Sequence, residues 1–234
     1  MEELELTILI PCLNEEETIG DCVKCGIEFL NKNNVYGEVL VIDNNSNDQS
    51  LKIARKSGAR VIKEKNRGYG SALIRGIKEA KGKYIIMGDA DGSYDFSICM
   101  SFLELLRKDY DLVMGNRFLG GIEKDAMPLL HKYIGNPLLS FIGRKLFHIE
   151  VGDFHCGLRG FNGEKFKNLD LSCTGMDFAS EMIIKAKLNN CKITEIPIIL
   201  HKDKRINTVS HLSSFKDGML HLKIIFRLYK DKNL

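Results

Sequence analysis

The sequence predicts an α/β fold, with a mostly parallel central sheet flanked by helices. Three observations carry this reading. Short apolar runs without polar alternation recur through the first half, helical patterns separate them, and polar residues gather where the runs end. An unbroken apolar run is the signature of a strand buried on both faces. Strands alternating with helices of about 10–15 residues make βαβ units and hence a parallel sheet.

The elements follow in order. Residues 6–10 (LTILI) form the first strand, and 15–30 a helix carried by Ile19, Val23, Ile27 and Leu30. Residues 38–42 form a second strand, 48–57 a short helix closed by Gly58, and 60–62 a third strand. A helix over 70–80, a strand over 83–87, a helix over 96–106 and a strand over 111–114 complete the rhythm. After residue 118 it stops. Residues 120–126 are a loop, and 128–147 are helical with a break near Gly135-Asn136-Pro137. A short strand is expected at 158–161 and a helix at 177–188. A strand at 192–199 contains Pro197, which assigns it to a sheet edge. The last helix, 214–229, is apolar over most of its surface, with a narrow stripe of Lys216, Lys223, Arg227 and Lys230. Two readings stand open for it: a packed terminal helix, or one lying in a lipid interface with its cations at the headgroups.

The bulk composition excludes several classes. The chain has 234 residues and 44% hydrophobic content, enough for one domain with a sizeable core. Its seven cysteines are odd in number and irregular in spacing, which fits reduced, mostly buried thiols in a cytoplasmic setting. The start, MEELELTILIPCLNEEE, has no basic leader and does not read as a signal peptide, and no stretch reaches a membrane-spanning length. The net charge of +3 is concentrated in residues 201–234, which hold eight Lys/Arg and three Asp. A cationic tail without a reading module argues against nucleic acid as a partner and fits contact with a phosphate or an anionic membrane surface, a solvated basic surface being the plain alternative.

In an open parallel sheet, ligands bind beyond the carboxyl ends of the strands, at the point where strand order reverses. Four turns there are polar: Asn14-Glu15-Glu16, 43–48, Asp89-Ala90-Asp91 and Gly115-Asn116-Arg117. Asp89 and Asp91 leave a buried strand with the small Ala90 between them. Two converging carboxylates suit Mg2+ or Mn2+, hard cations that leave room for phosphate oxygens. The plain alternative is an Asp-rich turn capping a helix. Asp43, in a turn shared with Asn45, serves equally as a cap or as an acceptor for a nucleobase or ribose. Arg67-Gly68-Tyr69-Gly70 opens a helix with backbone able to lie against a nucleotide, or is a simple turn. Arg117 and Arg159, in Gly-flanked turns, are candidate phosphate clamps. Asp177 either serves as an N-terminal helix charge or faces a substrate. His201 and His211 flank Lys202, Lys204 and Arg205, a candidate phosphate-binding loop. Asp153, His155 and Cys156 lack a fourth ligand for a metal cluster.

The stretches IPCLNEEETI, VIDNNSNDQS, NRGYGSALIRGI, MGDADGSYDF, VMGNRFLGG, HCGLRGF and GMDFASEMIIKA together resemble glycosyltransferase family 2, with its GT-A nucleotide-sugar fold. More narrowly they are similar to the dolichyl-phosphate and polyprenyl-phosphate mannose or glucose synthases. The resemblance implies inverting transfer of a hexose from GDP-mannose or UDP-glucose to a polyprenyl phosphate, at the cytosolic face of a membrane. It implies a single catalytic domain with a nucleotide-sugar half (1–118), an acceptor-side half (119–210) and a basic C-terminal helix (211–234). The donor would be held by Pro11, Asn14, Glu15, Asp43, Asn45, Arg67, Gly68, Gly70, Asp89, Ala90 and Asp91, with Asp89 and Asp91 on the metal. The acceptor phosphate would meet Arg117, Arg159, Lys204 and Arg205. Asp91, Asp177 and Arg117 would act in catalysis, Asp177 chiefly by position and charge. A soluble or polymeric sugar acceptor, nucleotidyl transfer, and a non-catalytic scaffold are the alternatives. A second copy of the chain or a separate membrane subunit stand as further partners.

Overall fold

The computed structural model describes residues 4–206 and 214–232. Seven strands form one sheet in the order β3-β2-β1-β4-β6-β5-β7. They are β1 (Leu6–Cys12), β2 (Gly37–Asp43), β3 (Arg60–Lys63), β4 (Tyr84–Met87), β5 (Leu112–Asn116), β6 (Arg159–Asn162) and β7 (Ile193–Pro197). All pairings are parallel except those of β6, which runs against both β4 and β5. β7 lies on the edge beside β5, where a proline costs the ladder least.

Helices cover both faces. They are α1 (Ile19–Lys32), α2 (Ser50–Lys56), α3 (Tyr69–Glu79), α4 (Cys99–Arg107), α5 (Arg117–Gly120), α6 (Asn136–Phe147), α7 (Gly163–Lys167), α8 (Phe178–Leu188) and α9 (Ser214–Lys232). Alternation along β1 sorts the core into two layers. Ile8 and Ile10 pack with Val23 and Phe29 of α1 and with Phe102 and Leu106 of α4. Leu9 packs on the other face with Leu73 of α3, Met182 of α8 and Ile225 of α9. Each buried Leu, Ile or Phe side chain contributes about 1.5–3 kcal/mol, so both layers are needed to offset chain ordering.

The strand order reverses between β1 and β4: β2 and β3 build outward on one side, the later strands on the other. The crevice thus lies beyond the ends of β1 and β4. Because β6 is antiparallel, its beginning reaches the same rim as the ends of β4 and β5. That brings residues 153–158 to the crevice, although the first-half βα pattern does not foretell it.

The helical stretch after residue 128 is continuous where a break was expected. A π-helical turn, His131–Gly135, runs into α6, and Pro137 sits in the first turn of α6, where its missing N–H costs nothing. α9 is a packed helix: Ile224, Ile225 and Leu228 are buried against the second core layer. Among the described residues no helix is long and apolar enough to cross a membrane. All seven cysteines are free thiols.

Candidate active site

A cavity of about 470 Å³ opens at the switch point. β1 delivers Pro11 and the turn after it Glu15, the turn after β2 delivers Asn44, and the turn after β4 delivers Asp89, Ala90 and Asp91. Gly68 and Tyr69 enter from the start of α3, Gly175 and Met176 from the loop before α8, and Lys216, Asp217 and Leu220 from α9. Arg205 lines the cavity too.

The two carboxylates are held in different ways. Asp89 Oδ1 accepts from the Tyr69 hydroxyl at 2.9 Å. Its other oxygen rests on Gly157, where any Cβ would come within 2.3 Å of it. Burial, and then the charge of Asp91, push Asp89 up to about 6. Asp91 Oδ1 accepts from the backbone N–H and the hydroxyl of Ser93, at 2.9 and 2.6 Å, which leaves Oδ2 directed at Arg205, 3.7 Å away. Burial is also the main reason that Glu15 rises to about 7. Arg205 pairs with it at 3.1 Å and bonds Asp203 as well.

Among the described residues no set of three or more His, Cys, Asp or Glu is gathered as a metal cage. Two carboxylates, all-oxygen and mutually repelling, fit a divalent cation that takes its remaining ligands from water and a substrate's phosphates.

The turns are fastened to one another. Asn14 Oδ1 accepts from Asn47 N–H, and Asn14 N–H donates to Ser46 Oγ, so two rim turns are stapled. Asn44 donates to the carbonyls of Glu64 and Asn66 and accepts from Gly68 N–H. Gly68 has φ 138°, and a Cβ there would collide with Thr174 O at 2.1 Å. A strap over residues 201–205 crosses the acidic turn, His201 N–H donating to Ser93 O and Lys204 N–H to Asp91 O, both at 3.0 Å.

The expected donor residues divide. Pro11, Glu15, Gly68, Asp89, Ala90 and Asp91 line the cavity. Asn14, Asp43, Asn45, Arg67 and Gly70 stand outside that lining. Asp43 is buried and turns back to accept from Ser46 N–H, and Gly70 is covered by Cys173 O. Asn45 and Arg67 are exposed. On the acceptor side two expectations are corrected. Arg117 is buried in a bidentate pair with Asp153, 2.7 and 2.8 Å, and Arg159 is 1% exposed and donates to the carbonyls of Phe154, Cys156 and Ala179. Both guanidinium groups are engaged by the protein and cross-link it. Lys204 extends over Gly92 and is exposed. Arg205 sits on the acids of the donor rim, not apart from them. Asp177 stands at the N-cap position of α8 without a side-chain cap hydrogen bond, its carboxylate lying beside Gly175. His211 lies outside the described residues.

Tyr69, Asn44, Gly157 and the first turns of α9 escape the motif reading. Tyr69 lies inside a glycine-rich turn and Asn44 inside an Asx-rich one, so their neighbours mask both. Nothing local marks the other two.

A crevice at the switch point, with paired carboxylates and a backbone opened by glycine, is where an open α/β sheet takes its ligand. The chain belongs to glycosyl transferase family 2, whose model matches residues 7–170. It is 38% identical over 221 residues to the low-salt glycan biosynthesis hexosyltransferase Agl6 of Haloferax volcanii, covering 94% of this chain and 52% of that one. The chain thus spans about half the length of that relative. It is 30% identical over 195 residues to a dolichyl-phosphate hexose transferase of the same organism, covering 83% and 82%. Among solved structures, glucosyl-3-phosphoglycerate synthase of Mycobacterium tuberculosis, crystallised with Mg2+ and uridine diphosphate, superposes with a TM-score of 0.74 at 18% identity, covering 97% and 79%. The fold is of the GT-A type.

Proposed function

We propose that this glycosyltransferase moves a hexose from a nucleotide sugar, GDP-mannose or UDP-glucose, to a polyprenyl or dolichyl phosphate, with inversion at the anomeric carbon. The observation that carries the reading is the pairing of Asp89 and Asp91 at the switch point, in a cavity that also holds Arg205 and Lys216. Pro11, Glu15 and Gly68 cradle the donor, and Asp89 and Asp91 hold Mg2+ or Mn2+. That cation, when bound, offsets charge on the departing nucleoside diphosphate. An acceptor phosphate oxygen attacks the anomeric carbon from the face opposite the leaving group. One C–O bond forms, the bond to the β-phosphate breaks, and the configuration inverts. The phosphate is already ionised near neutral pH, so no proton needs to be removed. Asp177 acts by position and charge. Lys204 and Arg205, on the strap over the acidic turn, receive the acceptor phosphate.

A membrane surface supplies such an acceptor. The segment 126–149 contains no acidic residue and carries Lys132, Arg144 and Lys145. Leu129, Leu130, Tyr133, Ile134, Leu138 and Phe141 along it are all more than half exposed. Cations beside an exposed apolar strip suit anionic headgroups. α9 adds exposed Met219, Phe226 and Lys223 to this membrane-contacting role. The names of relatives that use dolichyl phosphate support the same acceptor class.

The test is a labelled-donor assay with extracted polyprenyl phosphate. Metal-dependent label in the organic phase is the expected result. Label only in water-soluble glycan would move the assignment to a soluble acceptor, and release of pyrophosphate to nucleotidyl transfer.

A further inference from the structure

α9 lines the cavity with Lys216, Asp217 and Leu220, and immediately after them His221 is buried. Its Nδ1 lies 2.9 Å from Ser180 Oγ on α8. The same hydroxyl lies 3.3 Å from Nε2 of His155. The two imidazoles meet edge to face with centroids 4.3 Å apart, and Ser180 is fully buried. His155 belongs to the loop that also sets Asp153 against Arg117 and Gly157 against Asp89. Three side chains therefore join α9, α8 and the loop beneath the acidic turn.

Proton accounting gives this bridge a direction. Burial lowers His155 well below its ordinary range and His221 to about 4, so both rings are neutral and each carries one proton. His155 Nδ1 is buried with no hydrogen-bond partner among the described residues. A proton there would be a stranded donor, whereas on Nε2 it reaches Ser180. Ser180 then gives its single proton to His221 Nδ1, and His221 keeps its own on Nε2. The carboxylates acting on this ring are Asp177 and Asp217, which favour an N–H over a lone pair on its remaining nitrogen. The other polarity would strand a buried N–H on His155 and set a lone pair toward two acids.

We propose that His221 is a positioning residue of the transfer site: the one-way chain His155 Nε2–H, Ser180 Oγ–H, His221 Nδ1 fixes α9 so that Lys216, Asp217 and Leu220 remain in the cavity wall. A cation and a leucine side by side suit a phosphate attached to an apolar chain, so the acceptor is the substrate that registers the loss. This activity arm rests on the acceptor reading above, and the protonation arm does not.

The experiment compares the full chain with His221→Asn, His221→Phe and Ser180→Ala. Asn keeps an oxygen where Nδ1 stood and still accepts from Ser180. Phe keeps the ring without the bond. His221→Phe and Ser180→Ala should raise the KM for polyprenyl phosphate about fivefold, the loss of one hydrogen bond. Nucleoside diphosphate affinity and kcat should stay within about twofold, and His221→Asn should behave as wild type. Unchanged acceptor KM in the first two variants overturns the proposal. So does a parallel loss of kcat, nucleotide affinity and Tm in all three, which marks a purely structural contact. A wild-type chain inert toward polyprenyl phosphate would sink the acceptor reading alone. Nitrogen-15 NMR of histidine-labelled protein then decides: both rings should carry their proton on Nε2, and an Nδ1–H on either overturns the chain.

Discussion

Replacing Gly157 with alanine tests the proposed cation site without touching a charged group. The new Cβ would stand 2.3 Å from Asp89 Oδ2, 3.0 Å from its Cγ and 3.0 Å from a ring carbon of Tyr94. Ordinary contact is about 3.5 Å, so the carboxylate must retreat by roughly 1 Å. It is not free to do so, because the Tyr69 hydroxyl holds its other oxygen at 2.9 Å. Nor can residue 157 yield easily, since its N–H donates to the Tyr94 hydroxyl at 2.9 Å. Metal–ligand distances tolerate only about 0.2 Å, so the shift is several times what a bound cation accepts. Nucleotide affinity in the presence of Mn2+ should fall roughly 10–100-fold, about 1.4–2.7 kcal/mol. Stability should fall by about 1–3 kcal/mol from overpacking. Calorimetric titration of UDP and GDP with and without Mn2+ reads the first number and urea unfolding the second. Affinity without metal should be preserved. A folded variant whose Mn2+-dependent affinity equals wild type would refute the placing of the cation against Asp89.

Four other outcomes follow from the same geometry. Asp91→Asn should abolish most of the Mn2+ enhancement of nucleotide binding, and an intact enhancement in calorimetry would count against the paired-carboxylate site. Arg205→Ala should tighten Mn2+ binding roughly fivefold in the absence of nucleotide, because the guanidinium no longer competes for Asp91; weaker binding in a metal titration would contradict that competition. Asp153→Ala leaves Arg117 buried and unpaired, so urea unfolding should register a loss of about 3–5 kcal/mol, while a loss under about 1 kcal/mol would show that the pair is dispensable. His221 titrates at 6.5 when exposed and at about 4 when folded, so the unfolded chain binds more protons between those values. Its contribution, about 3 kcal/mol, is present above pH 6.5 and lost as pH falls toward 4. Glu15, raised from 4.5 to about 7, has the opposite slope over much of that window, so the difference between wild type and His221→Phe reads the histidine pair His221 and His155 with Glu15 cancelled. Parallel stability curves for the two would refute it.

The first half of the fold is legible because its information is local. The run Val39–Ile42 is buried along its whole length, and the acidic turn after β4 lands at the switch point. Arginines proved harder to read. A guanidinium in a glycine-flanked turn looks solvent-directed, and only the fold reveals the acceptors that engage it: Asp153 for Arg117, and the Phe154, Cys156 and Ala179 carbonyls for Arg159. The terminal helix posed the converse difficulty. Its apolar surface is broad enough for either burial or lipid, and the choice depends on Ile224 and Ile225 meeting a core assembled by distant elements. Strand direction was also hidden, since a four-residue strand such as β6 carries no sequence mark of running backwards.

That short reversed strand sets a strict spacing rule. Met87 stands opposite Arg159 and Ile86 opposite Gly160. Deleting one residue between 157 and 162 would invert the in-or-out sense of every position it carries, swinging a guanidinium into the opposite layer and withdrawing the seat of Asp89. Length variation among kindred chains should therefore collect before residue 153 or after residue 162, with the interval between them constant to the residue.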